Sequence, residues 1–254
     1  MKNMVTIGDI YRKLDEIAPF SLAESWDNCG LLVGEANAPV TACVIGLDVT
    51  LPVIRQAVQA HAQLIVTHHP VIFHPLKCLP GDSVAYHLAR EGIGVISAHT
   101  NLDLAEGGVN DALFDALELS EKEAFSNEDN LGRIGRLPRP FSPGELAAYL
   151  KEKLSSDGVS WIPAGKKRIE RVALVSGAGG DYVGAAAAAG ADAYLTGEAK
   201  HSDRIEALNR GIHLFTAGHH HTEKVVLPCL KSVLAAGFPE VDFIVTEEFP
   251  EESL

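Results

Sequence analysis

Short apolar runs that lack the polar alternation of a half-solvated strand, each joined to the next by a stretch of helical periodicity, constrain this chain more than any other feature. Residues 42–47, 63–67 and 94–97 in the first half are such runs, as are 171–176, 192–195, 212–215 and 241–245 in the second. Strands of this kind are buried on both faces, the condition of a parallel sheet covered by helices. The helices between them are equally legible. Ile7, Ile10, Leu14 and Ile17 fall at helical spacing behind a Thr6 cap, and Ser142-Pro143-Gly144-Glu145 reads as a capping box with proline at the first helical position. Further helices are expected from near Pro52, over 83–90 and 109–117, in the alanine-rich stretch ending at Gly190, over 201–209, and from the histidine cluster at 219 to about 236. The fold class is therefore α/β, with mostly parallel sheets flanked by helices. The polar stretch 120–130 reads as a boundary between two lobes, residues 1–128 and 129–254, with a C-terminal segment able to pack back on the first.

In open sheets of this class, ligands gather beyond the carboxyl ends of the strands. There the chain carries Thr67-His68-His69-Pro70. Successive strand side chains point to opposite faces, so both imidazoles reach one place only where the chain leaves strand geometry. Pro70, which has no N–H for a ladder, enforces that exit. Alone, the pair reads equally well as surface histidines at a strand end. Asp48, His99 and Asp103 also lie at or just past predicted strand ends, and the convergence of these groups favours a metal site. A second cluster, Gly218-His219-His220-His221-Thr222-Glu223, opens a helix in the other half. His219 and Glu223 lie one turn apart on one helix face, the spacing at which an imidazole and a carboxylate share an ion or two adjacent ions, while His220 faces elsewhere. Gly177-Ala178-Gly179-Gly180-Asp181-Tyr182 departs from G-x-G-x-x-G, because Tyr182 stands in the third glycine's place. It reads as a tight strand-to-helix turn, whose N–H groups could still hold a phosphate.

Charge narrows the partners. Lys and Arg number 21 against 34 Asp and Glu, a formal net charge of −13, which opposes a nucleic-acid or anionic-membrane surface. No apolar run approaches the roughly 18 residues of a membrane span, and the N-terminal residues lack the charged-then-apolar layout of a signal peptide, so a cytoplasmic protein without a membrane partner is expected. Cys29, Cys43, Cys78 and Cys229 are widely spaced, mostly in apolar contexts and without C-x-x-C, and read as buried or semi-buried thiols rather than disulfides or a zinc knuckle.

Thr67-His68-His69-Pro70 with His74-Pro75-Leu76, the run from Ser25 through Trp26-Asp27-Asn28-Cys29 to Gly34, Ala98-His99-Thr100-Asn101-Leu102-Asp103, Ala191 through Thr196-Gly197-Glu198, and Gly218-His219 with Glu223 together resemble the dinuclear-metal-centre hexameric family. These are the Ngg-interacting-factor-three-like proteins, often given as homologues of a type 2 GTP cyclohydrolase I. The likeness spans nearly the whole chain, in the family's motif order. It implies two interlinked Rossmann-like lobes, a toroidal homohexamer with sites facing an inner cavity, and two divalent ions per chain held by His68, His69, Asp103, His219 and Glu223. The short path from Asn130 to Lys166 leaves no room for the extra domain some relatives carry there.

Nitrogen and oxygen donors without thiolate suit Zn, Mn, Fe or Co. A carboxylate bridging two such ions would hold them about 3.5–4 Å apart around a shared water, which is hydrolase equipment. His99, Glu198 and His201 are candidates for proton transfer or for orienting the ligands. Two functions are expected. One is a metal-dependent hydrolase acting on a nucleotide or other phosphate-bearing small molecule; the resemblance implies hydrolytic opening of the guanine imidazole ring of GTP with loss of formate. The other is a non-catalytic metal-binding or regulatory ring.

Overall fold

A computed structural model of the chain describes residues 4–125 and 130–246; residues 1–3, 126–129 and 247–254, which include part of the N-terminal stretch and part of the polar stretch at 120–130, lie outside them. The first elements are α1 (Ile7–Ile17), β1 (Gly30–Val33), β2 (Ala42–Gly46), α2 (Leu51–Gln59), β3 (Leu64–Thr67), α3 (Val84–Glu91), β4 (Gly94–Ser97), α4 (Thr100–Leu104) and α5 (Val109–Ala116). There follow β5 (Ser120–Ala124), β6 (Arg133–Phe141), α6 (Pro143–Leu154), β7 (Ser160–Ile162), β8 (Ile169–Leu174), α7 (Val183–Ala188), β9 (Ala193–Thr196), α8 (His201–Arg210), β10 (His213–Thr216), α9 (His219–Glu223), α10 (Val226–Gly237) and β11 (Asp242–Val245). By its contacts the chain forms two compact units, one of residues 4–106 with 227–246 and one of 107–125 with 130–226. No helix among the described residues is long and apolar enough to cross a membrane.

The first unit holds a five-stranded sheet in the order β1-β4-β3-β2-β11. Its last four strands run parallel, and β1 lies antiparallel on β4. Val44, Ile65 and Val95 pack on Val53, Ile54 and Ala57 of α2 and on Leu88 of α3. Burial of each such aliphatic side chain contributes about 1.5–3 kcal/mol. Helix α1 buries Ile7, Ile10 and Leu14, and Ile7 reaches the sheet over Gly94, where a β-carbon would stand 2.6 Å from its Cδ1. The Thr6 cap forms as expected: its hydroxyl accepts the Asp9 N–H, and the Asp9 carboxylate accepts the Thr6 N–H.

The second unit holds a six-stranded sheet, β5-β6-β8-β9-β10-β7, with β8, β9 and β10 parallel and the outer strands antiparallel. Alternate residues of the parallel strands enter different cores. Val172, Leu174, Ala193, Leu195 and Phe215 join one cluster, and Ala173, Tyr194 and Leu214 the other. Both faces are therefore covered, which is why these runs lack polar alternation.

Some elements differ from expectation. β5 lies within the polar stretch read as a boundary; it is exposed throughout, so no buried alternation marks it. β7 is likewise a short exposed edge strand. β6 runs beyond Leu137 through Pro138 and Pro140, tolerated because its pairing with β8 shifts register between Arg136 and Phe141. Helix α5 packs against α9 and β6 of the second unit. The helix expected from 219 to 236 is two, α9 and α10.

Candidate metal centre

In the first unit β2, β3 and β4 are parallel, so their exits share one edge of the sheet. The His68-His69 backbone is fastened there. His68 N–H donates to the Gly46 carbonyl at 3.2 Å, His69 N–H to that of Leu47 at 2.8 Å, and the buried Ser97 hydroxyl donates to the His68 carbonyl at 2.9 Å. Having left strand geometry, the two rings lie with centroids 4.9 Å apart, and His99 lies 5.1 and 5.6 Å from them. Each of His68, His69 and His99 offers a ring nitrogen within 4.8 Å of the others. Asp103, one turn into α4, places Oδ1 3.6 Å from His68 Nε2.

Hydrogen bonding fixes what these rings can do. His68 Nδ1 donates to the Ala98 carbonyl at 2.8 Å, His69 Nδ1 to Asp48 Oδ1 at 2.9 Å, and His99 Nδ1 to the Asp27 carboxylate at 3.0 Å. Carbonyl and carboxylate oxygens only accept, so in each neutral ring the proton sits on Nδ1 and Nε2 keeps the lone pair. That is the arrangement of metal-binding and proton-accepting imidazoles.

Asp27 is a residue of this cluster that the sequence reading missed as an individual, although its motif was noted. Its side chain has no solvent exposure. Besides His99 it takes the Thr100 N–H at 3.1 Å and hydroxyl at 2.6 Å, the Cys29 thiol at 3.0 Å and the Asn28 N–H at 2.8 Å. Burial opposes its charge, yet the hydrogen bonds from His99, Cys29 and Thr100 outweigh burial and hold the carboxyl well below the usual carboxylate range. Burial, with the bond to Asp27, pushes the Cys29 thiol up to about 11, so it is a neutral donor to that carboxylate; Cys43 is buried as expected, whereas Cys78 and Cys229 are exposed.

In the second unit the loops after β8, β9 and β10 are tied together. Thr222 Oγ1 accepts the Gly177 N–H at 3.0 Å, Thr196 Oγ1 accepts the Gly179 N–H at 3.0 Å, and the Glu198 N–H donates to the Gly177 carbonyl at 2.9 Å. His219 then stands between two carboxylates, with Nδ1 2.9 Å from Glu198 Oε1 and Nε2 3.0 Å from Oε1 of the buried Glu223. A neutral ring can donate to only one of them. A proton or a metal ion completes the other contact. Gly177, read as a turn residue, has φ +59°, and a β-carbon on it would collide with the Glu223 carboxylate and come within 3.2 Å of His219 Nε2. The turn is built to admit the site's side chains.

Of the expected residues, His68, His69, His99 and Asp103 thus gather in the first unit, and His219, Glu223 and Glu198 in the second. Glu198, expected to orient a ligand or to transfer a proton, contacts the His219 ring. His201 is exposed at the first position of α8, outside this chain of bonds. His221 pairs with Asp157 at 3.4 Å and with Lys224 at 3.0 Å.

The sequence and fold are similar to those of several known proteins. A family model described as Duf34/NIF3 (NGG1p interacting factor 3) matches residues 5–251. A Clostridium perfringens protein named GTP cyclohydrolase 1 type 2 homolog is 30% identical over 252 residues, covering 95% of this chain and 96% of its own. A Campylobacter jejuni protein of the same name is 32% identical over 228 residues, covering 88% and 90%. Among solved structures, the Staphylococcus aureus hypothetical protein SA1388 superposes with a TM-score of 0.91 at 27% identity, over 99% of this chain and 100% of that one.

Proposed function

Since the chain belongs to the Duf34/NIF3 (NGG1p interacting factor 3) family, we propose that it is a metal-dependent hydrolase acting on a nucleotide or related small molecule, resembling a type 2 GTP cyclohydrolase. In this reading it binds two divalent ions, Zn, Mn, Fe or Co, through His68, His69, Asp103, His219 and Glu223, and works as a cytoplasmic homohexamer. One observation carries it. His68, His69, His99 and His219 all have Nδ1 within hydrogen-bonding distance of a carbonyl or carboxylate oxygen, an orientation that serves Nε2 ligation and that surface histidines have no reason to share. The donors, imidazole nitrogens with carboxylate oxygens, fit a borderline metal.

Divalent ions held there would supply Lewis acidity toward water and toward an oxygen of the substrate. The chain's own residues do the rest. Asp48 and Glu198 fix the rings of His69 and His219, Gly177 leaves room for the Glu223 carboxylate, and His99 accepts and returns a proton through Nε2.

The second reading is a ring that binds metal through the same donors without turnover. The test is an assay of metal-replete protein on GTP and then on phosphoesters, with light scattering to establish the hexamer. His99→Asn is expected to keep metal and assembly and to lower turnover by about two to four orders of magnitude. A replete wild type that turns over none of these, but loses thermal stability on chelation, overturns the hydrolase in favour of the binding ring.

A further inference from the structure

Helix α4 begins without a cap of its own. His99 occupies the N-cap position with φ −107° and ψ −105°, and its side chain makes no capping hydrogen bond. The N–H of Thr100 is instead taken by Asp27, 73 residues away in sequence, whose Oδ2 also accepts the Thr100 hydroxyl. One carboxylate thus serves the helix start and the His99 ring together. It is fully buried, and burial with so many donors around it is tolerable only as the anion.

We infer that Asp27 is a positioning residue: it sets the tautomer of His99, keeping the proton on Nδ1 and the basic lone pair on Nε2 beside His68 and His69, while replacing the missing cap of α4. The inference rests on the proposed use of His99 as a proton carrier, but its structural content does not depend on turnover. Both carboxylate oxygens lie 3.0 Å from His99 Nδ1, and each is already committed to a backbone donor that cannot reverse, Oδ1 to the Asn28 N–H and Oδ2 to the Thr100 N–H. The anion offers the ring only lone pairs, so Nδ1 must donate to it. Asp27→Ala removes that acceptor, and the neutral ring is then free to take the Nε2–H form that free histidine favours. A carboxylate that holds a neighbouring imidazole in its working tautomer acts in this way in other enzymes.

The experiment is a long-range proton–nitrogen NMR correlation on metal-free protein labelled with ¹⁵N-histidine, at a pH where the rings are neutral, with His99 assigned by its absence from His99→Gln. The wild type is expected to show the Nδ1–H pattern for His99, and Asp27→Ala the Nε2–H pattern with the other histidines unmoved. Thr100→Val removes the hydroxyl donor at the helix start but leaves the carboxylate facing His99, and is expected to keep Nδ1–H, which a merely structural role for Asp27 does not predict. Nε2–H in the wild type, or an unchanged tautomer in Asp27→Ala, overturns the inference. Should Asp27→Ala fail to fold, wild type and Thr100→Val decide: Nδ1–H in both supports the inference, and Nε2–H in either overturns it. If the tautomers behave as expected while the replete wild type hydrolyses nothing, the hydrolase falls and the positioning role stands.

Discussion

At the scale of single residues, an imidazole is ready for a metal or a proton only after one of its nitrogens has been committed, and here the committing oxygens come from Ala98, Asp48, Asp27 and Glu198. The histidines themselves were legible in the sequence, because Pro70 marks the strand exit and the 219/223 spacing marks a helix face. Asp27 was not, since its bonds to His99 and Thr100 cross 72 and 73 residues and leave no local pattern. Gly177 was read as a turn and proved to be part of the site. Gly177→Ala is expected to cost at least about 1–2 kcal/mol through its left-handed backbone alone, and to displace the Glu223 carboxylate, so both denaturant stability and metal occupancy should fall. Acid should act through three partly or wholly buried carboxyls. Asp27, Asp111 and Asp192 are all held below the ordinary 3.8: burial opposes ionisation in each, and is outweighed by His99, Cys29 and Thr100 for Asp27, by Gly107, Lys122 and Arg133 for Asp111, and by Lys166, Glu170 and Arg171 for Asp192. A group whose folded pKa is depressed stabilises the fold above its unfolded value and withdraws that support as pH falls through the folded one. The melting temperature should therefore hold down to about pH 4 and decline below it, less steeply in Asp27→Asn.

At the scale of elements, runs with both faces buried announced themselves, as did the helices capped by Thr6 and Ser142, because burial and capping are local in sequence. The elements that escaped had no local signal. β5 and β7 are exposed edge strands, α4 takes its cap from a distant loop, and the antiparallel setting of β1 depends on its partner β4. The loops of the second unit are joined chiefly through Thr222, which is fully buried and also donates toward the Gly218 and His219 carbonyls. Thr222→Val keeps the shape but strands the Gly177 N–H. The expected loss is about 1–3 kcal/mol in chemical denaturation, with weaker metal retention as the Gly177 turn loosens. Wild-type stability in this variant would show that the loop does not depend on that bond.

At the scale of the whole molecule, the sequence disclosed the α/β class and the donor-bearing strand exits of each half, because parallel strands bring their C-terminal loops to one edge of the sheet. Which oxygen holds which imidazole required coordinates, and the reaction requires a substrate. The central claim is that the donors of His68, His69, Asp103, His219 and Glu223 bind two divalent ions, and metal stoichiometry tests it most directly. Protein reconstituted separately with Zn, Mn, Fe or Co should retain close to two ions per chain by elemental analysis. Asp103→Ala and His219→Ala should retain fewer, and His220→Ala, outside the donor set, should retain both. A wild type that holds no ion or a single ion, or a His220→Ala variant that loses as much as His219→Ala, would contradict the account.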